Sequence, residues 1–370
     1  MPWDVLIKDA IIVDGSGEAP FRGAVAINKE RIAAVGDLRD PAALVTVDAG
    51  GKYLAPGFID IHTHADLIHP LEHTDQFRLL EGKVRQGITT EIVGNCGLGV
   101  FPLTHESEPL IRGILAWMTP RDFPWNWKLA GDYLDQLERH GVLLNVGALQ
   151  AHGPLRLGAI GLVPGPAGSA AIARMKSELE RSLDQGAFGL STGLIYPPGM
   201  YTPTEELQSL ARVVSEKQAV VTNHIRGSSE TLLDAVREIL SIGAASGARV
   251  HHSHNEAVGR KHWTKIETVL EMEEQASQKG IRVSYDMFPY FGAATMMLAI
   301  YPPWSLEGGV PSLLRRLADP ETRTRIRRDI ENVTPQWPPW KENGWPHNLV
   351  RATGWDQIYI GSIADPSLSK

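Results

Sequence analysis

The stretch Phe58-Ile59-Asp60-Ile61-His62-Thr63-His64 constrains this chain more than any other. It follows Ala55-Pro56-Gly57, a turn-forming break, and its apolar residues read as a short buried strand. Side chains alternate faces along a strand. His62 and His64 are therefore expected to point the same way and to grip one divalent ion at the strand's end. A histidine pair also occurs as ordinary hydrogen-bonded packing; the strand before it and Asp66 after it favour the metal reading.

The texture differs on either side of that strand. Residues 4–12, 23–27, 31–36 and 44–48 read as short strands, with a hairpin turn at Asn28-Lys29-Glu30. Residues 1–56 are thus expected to form a small β unit. From residue 57 strands alternate with helices. The strands are expected at Phe58–His62, Thr89–Val93, Leu143–Ala148, Gly186–Ser191, Ala219–Asn223, Arg249–His252 and Arg282–Asp286. The clearest helices are Ala170–Gln185, Thr204–Lys217 and Ser229–Ser246. This is an α/β pattern, and seven such units point to a TIM-type (β/α)8 barrel over residues 57–370 in which the eighth strand is not evident. After Tyr290 comes a Trp/Pro-rich insertion at about residues 291–350, including Trp337-Pro338-Pro339-Trp340, with helices expected near Ser312–Leu317 and Glu321–Glu331. It is either a cap over the barrel's catalytic end or an ordinary surface insertion. Ile358-Tyr359-Ile360 is a candidate last strand.

Composition closes off other classes. With 370 residues and 43% hydrophobic content the chain can bury a large core. A net charge of −7 gives no electrostatic case for a nucleic-acid partner. No apolar run reaches the ~18 residues of a membrane span, and Met1-Pro2-Trp3-Asp4 lacks the basic-then-apolar order of a secretory leader. Cys96, the single cysteine, excludes an intramolecular disulfide and fits a cytoplasmic location.

In a parallel barrel the active site collects at the C-terminal ends of the strands, so polar residues there are the candidates. They are His62, His64 and Asp66; Cys96 within Gly94-Asn95-Cys96-Gly97; His152 and Arg156; Tyr196; His224; His251, His252 and His254; and Asp286. Histidine, cysteine and carboxylate on one rim suit zinc. Each also has a plainer reading: Cys96 as a small packing residue, His224 as a satisfied core histidine, Asp286 as a cap. At most one or two of His251, His252 and His254 can face a site, because neighbours alternate.

These motifs resemble the amidohydrolase superfamily, and within it the N-acyl-D-amino-acid deacylases (D-aminoacylases). The residues that carry the resemblance are Pro56-Gly57-Phe58-Ile59-Asp60-Ile61-His62-Thr63-His64, Gly87-Ile88-Thr89-Thr90 with Gly94-Asn95-Cys96-Gly97, Gly189–Gly199, Thr222-Asn223-His224 and Ser253-His254. The resemblance implies a zinc-dependent barrel beside a small β-sandwich, of which residues 1–56 would be the N-terminal portion. It implies a tight Zn2+ site from Cys96, His224 and His254, and a second, weaker one from His62 and His64. Metal-activated water would hydrolyse the C–N amide bond of a small-molecule N-acyl-D-amino acid. His152, Arg156, Tyr196 and Asp286 become candidate substrate contacts, although Arg156 could instead pair with a neighbouring carboxylate.

Three departures bear on activity. Glu256 stands where the family has a lysine that holds the substrate carboxylate, and Phe288 stands where it has a tyrosine. The family's catalytic aspartate follows strand eight; Asp365, in Ala364-Asp365-Pro366, does not match it. A truncated form of a longer protein is the expectation. Two rivals stay open: another hydrolase of the superfamily acting on cyclic amides, lactones or esters, and a metal-binding fragment without turnover.

Overall fold

The structure, a computed structural model, describes residues 2–38, 42–338 and 344–361. The chain divides into two compact units, Met1–Ile59 with Gly87–Thr89 and Asp60–Gln86 with Thr90–Lys370.

The first unit holds β1 (Trp3–Ile12), β2 (Phe21–Asn28), β3 (Arg31–Gly36), β4 (Ala43–Asp48) and β5 (Tyr53–Leu54) in one sheet of order β3-β2-β1-β4, with β5 also on β1. The expected hairpin closes with Asn28 opposite Arg31, and Lys29 takes a φ of +53° in the turn. Along β1 the pairing with β2 shifts by one residue between Ile7 and Ala10. A one-residue shift exchanges faces. Accordingly Leu6 packs with Ala24 and Ala26, whereas Ala10 and Ile12 pack with Val25.

The strand–helix part follows with β6 (Phe58–Asp60), α1 (His73–Arg85), β7 (Ile88–Val93), α2 (Glu108–Leu115), α3 (Ala130–His140), β8 (Asn145–Ala148) and β9 (Gln150–Ala151). Then come α4 (His152–Ile160), α5 (Ser169–Asp184), β10 (Gly189–Gly193), α6 (Thr204–Glu216), β11 (Val220–His224), α7 (Leu232–Ser246), β12 (Arg249–His252), α8 (Lys265–Gln278) and β13 (Val283–Tyr285). Two sheets result, β6-β7-β8 and β9-β10-β11-β12-β13. The strand expected at Leu143–Ala148 starts at Asn145 and runs on past Ala148 to Ala151, broken at Leu149. Its first half pairs with β7 and its second with β10, both in parallel, and the Leu149 N–H still donates to Val93 O at 2.9 Å. Every further pairing through β13 is parallel and in chain order. Among the described residues no eighth strand follows β13.

Burial follows the helical and strand periods. All five residues of β10 are buried, and α5 buries Ala171, Met175, Leu179 and Ser182, three or four residues apart. Leu155, Leu179, Leu190, Leu210 and Val221 lie in one of the resulting clusters. Truncating a side chain as buried as Leu190 costs about 2–5 kcal/mol. Helix α7 starts at Leu232 rather than Ser229, because Ser229 O accepts the Leu232 N–H in a preceding turn. It ends at Gly247, whose φ of +73° suits glycine.

Beyond Tyr290 come α9 (Gly309–Ala318), α10 (Pro320–Asn332) and α11 (Leu349–Thr353), packed around Ile326, Ile330, Trp345 and Val350. Asp319 caps α10 by accepting the Thr322 N–H at 2.8 Å. Ile358–Ile360 form no strand: the Ile358 N–H donates to Trp355 O in a short turn. Trp340 and Asp365 lie outside the described residues.

Candidate metal centre

The site is built where β7 and β10 end against each other. After β7 the chain turns through Gly94, Cys96 and Gly97, at φ of +78°, +56° and +65°. A Cβ on Gly97 would fall 2.4 Å from Gly193 N, and one on Gly193 would fall 1.8 Å from Cys96 O. Only glycine permits that backbone contact. Cys96 itself bears the left-handed conformation at a cost of roughly 1–2 kcal/mol. The turn is pinned by Asn95 Nδ2, which donates to Ile92 O at 2.9 Å and to Ile61 O at 3.4 Å, and by the Gly97 N–H, which donates to Ser191 Oγ at 3.1 Å.

Three donor atoms converge there: His62 Nε2, Cys96 Sγ and His254 Nε2, all within 4.8 Å of one another. Cys96 Sγ is 3.1 Å from His62 Nε2 and 3.8 Å from His254 Nε2. A tetrahedral zinc with bonds of about 2.3 Å to sulfur and 2.0–2.1 Å to nitrogen sets its donors about 3.6 Å apart. The separations bracket that value, so the donor set fits one such ion. His224 Nδ1 adjoins it, 2.8 Å from His254 Nε2. His62 thus groups with Cys96 and His254, joining residues that the resemblance assigns to separate sites. It also lies beyond its strand, since β6 stops at Asp60 and the expected alternation does not reach the histidines. His64 meets His62 edge-on with ring centroids 6.0 Å apart, and its buried Nδ1 has no partner.

Asp286 organises the cluster from behind. Its carboxylate accepts from His62 Nδ1 at 2.9 Å, from His251 Nε2 at 2.8 Å and from the His254 backbone N–H at 2.6 Å. An ionised carboxylate only accepts, so His62 carries a proton on Nδ1 and faces Cys96 with Nε2. His251 Nδ1 in turn bonds Ser284 Oγ at 2.9 Å. His252 points the other way, onto Glu273 Oε1 at 2.7 Å.

The ionisation states follow from this geometry. Burial raises the Cys96 thiol, but the His62 charge and hydrogen bonds from His224, His254 and His62 outweigh it and hold the thiol well below its usual range. Burial lowers His62, yet Cys96 and Asp286 carry it up to about 10. Burial and the neighbouring His254 push His224 down to about 4. Burial works against the Asp286 carboxylate, and the hydrogen bonds from His251 and His62 hold it low all the same. Nearby, burial pushes Asp66 up to about 6.

The remaining candidates separate. Tyr196 stands at the site, its ring 4.9 Å from that of His224 and its hydroxyl 2.9 Å from Thr295 Oγ1. His152 and Arg156 are fully buried on α4 and bind Glu206 Oε1 at 3.4 and 3.1 Å. Arg156 spends its other nitrogens on the carbonyls of Val163 and Gly165. Glu256 Oε1 lies 3.7 Å from His254 Nδ1, and burial raises its carboxyl. Sequence reasoning missed Thr295 and His347. Both follow β13 in segments without periodicity, so neither sits at a strand end.

Residues 45–338 match the model of the amidohydrolase family. The chain is 36% identical over 299 residues to the N-acyl-D-glutamate deacylase of Alcaligenes xylosoxydans xylosoxydans, covering 80% of this chain and 58% of that protein. It is 32% identical over 296 residues to the D-aminoacylase of the same organism, covering 80% and 59%. Among solved structures, the N-acyl-D-glutamate deacylase of Bordetella bronchiseptica, complexed with zinc and a phosphonate inhibitor, superposes with a TM-score of 0.70 at 34% identity, covering 78% of this chain and 59% of that one. The chain therefore spans less than two thirds of the length of these relatives.

Proposed function

The chain belongs to the amidohydrolase family, and from that premise we propose that it carries the metal-binding part of a zinc-dependent hydrolase that cleaves the C–N amide bond of N-acyl-D-amino acids. The observation that carries the proposal is the convergence of His62 Nε2, Cys96 Sγ and His254 Nε2, with His224 beside them. These four side chains would hold one ion, and His64 would belong to a second, weaker position. A divalent ion in that place supplies charge to polarise an acyl carbonyl and to bring the proton loss of water into the neutral range. Cys96 contributes the negative charge that favours the ion. Asp286 orients His62 rather than touching substrate, and His251, itself bonded to Ser284, holds Asp286. Tyr196, whose phenol burial keeps protonated, is suited to hydrogen-bond a substrate oxygen. His152 and Arg156, closed on Glu206, support this region from within the protein.

The parallel order of β6 to β13, with helices between, supports reading this part as seven units of a TIM-type barrel, with residues 1–56 as part of a β-sandwich. No helix among the described residues is long and apolar enough to cross a membrane. The single buried thiol of Cys96 suits a cytoplasmic protein.

Elemental analysis beside hydrolysis of N-acetyl-D- and N-acetyl-L-amino acids tests the proposal. Near-stoichiometric zinc that disappears in Cys96→Ala, with turnover of the D series, is the expected result. Wild-type protein that takes up no zinc would overturn it. A second reading is favoured by Glu256, whose carboxylate beside His254 opposes a substrate carboxylate: hydrolysis of a cyclic amide, a lactone or an amide without a free acid. Turnover of hydantoins or lactones in place of N-acetyl-D-amino acids would decide for it.

A further inference from the structure

We propose that His347, in the aromatic segment after β13, is a substrate-contacting residue of the metal centre that offers the bound acyl amide an imidazole able to give and to take a hydrogen bond. The proposal rests on the hydrolase reading above.

His347 is 5% exposed, and neither Nδ1 nor Nε2 has a hydrogen-bond partner. Buried polar groups are almost always paired, so a histidine with both nitrogens idle needs an explanation. Other buried histidines differ. His69 and His252 each have one idle nitrogen, but the second is tied to Glu91 or to Glu273. His152 is likewise tied to Glu206. Among these, His347 alone has neither nitrogen anchored.

Its backbone, by contrast, is pinned on both sides. Pro346 O accepts from Thr231 Oγ1 at 2.6 Å, and Asn348 Nδ2 donates to Ile330 O and Val333 O at 3.0 Å each. Gly227, three residues past His224, makes room for the segment: a Cβ there would fall 2.7 Å from Pro346 O. This holds the backbone on either side of His347 against the turn that follows β11, on which His224 is the last strand residue. Burial, then His224, keep the His347 imidazole neutral, at about 3. A neutral imidazole has one N–H and one lone pair, which match the carbonyl oxygen and N–H of an amide. Thr295 reaches the same region through Tyr196, so a second part of the segment also borders the centre.

The test uses the full-length zinc-loaded protein with His347→Ala and His347→Gln. Acetohydroxamate serves as a neutral acyl probe, measured by calorimetry alongside zinc content and thermal midpoint. Both variants are expected to retain zinc and the midpoint. The hydroxamate Kd is expected to rise about tenfold or more in His347→Ala and less in His347→Gln, which keeps a donor and an acceptor. The KM for an N-acetyl-D-amino acid should rise in the same order. An unchanged Kd in both variants would overturn the proposal, as would loss of zinc, or a wild type that binds no hydroxamate. Should the wild type bind hydroxamate yet hydrolyse no N-acyl amino acid, the hydrolase reading fails while the Kd series still decides on His347.

Discussion

Two buried polar clusters of the strand–helix part are resolved in opposite ways. His152, Arg156 and Glu206 form a closed set. Glu206 accepts from both partners and from the Ala167 N–H at 3.3 Å, and apart from His152 Nδ1 the atoms are satisfied within the protein. His62, Cys96, His224 and His254 form an open one, in which three imidazoles crowd one sulfur and two of their nitrogens stand 2.8 Å apart. Nitrogen and sulfur donors that converge on one point form a place that a cation can take in exchange for their protons. Paired opposite charges mark a structural element, whereas converging donors mark a binding one.

Cys96→Ala breaks the open cluster most severely. Structural zinc sites release about 10–16 kcal/mol, and losing one of their few ligands should cost on the order of 10^3-fold or more in zinc affinity. Competition with a chelator measures it, and the fold should survive. Glu206→Ala breaks the closed cluster. It should cost about 3–5 kcal/mol in denaturant unfolding, because the buried Arg156 guanidinium loses its counter-charge and His152 its hydrogen-bond partner, while zinc affinity stays within a few-fold. If the two variants instead lost zinc and stability alike, the distinction between the clusters would fail.

Asp286→Asn sharpens the contrast within the open cluster. The amide can no longer orient His62 as a carboxylate does, and outer-shell changes of this kind cost about 10–100-fold in metal affinity. The remaining expected effect is on pH. In metal-free protein His347 stays neutral down to about 3, while an unfolded histidine takes its proton near ~6.5. Between those values the unfolded state binds the extra proton, so stability falls as the pH drops, by up to about 1.4 kcal/mol per pH unit. His347→Gln should flatten that part of the curve, measured by urea unfolding from neutral to acid pH.

Much of this was legible in local pattern. The strands expected at Ala219–Asn223 and Arg249–His252 are found at Val220–His224 and Arg249–His252, and polar residues at their ends marked His224 and His254. The broken third strand was not legible, because the break at Leu149 arises from simultaneous pairing with two neighbours. The role of Arg156 was not legible either: whether an arginine meets a substrate or a carboxylate depends on Glu206, fifty positions away.

The sequence by itself determined the order of the strands, the identity of the donors and the end of the sheets at which they gather. These follow from periodicity and turn chemistry, which act over a few residues. Only the tertiary structure decided which donors form a group. His62 and Asp286 are 224 positions apart, and their hydrogen bond exists because β6 and β13 both end near the turn that carries Cys96. Convergence of that kind depends on register and backbone approach summed over many elements, with Gly193 against Cys96 O as one of the tightest points. No local stretch of sequence encodes that sum.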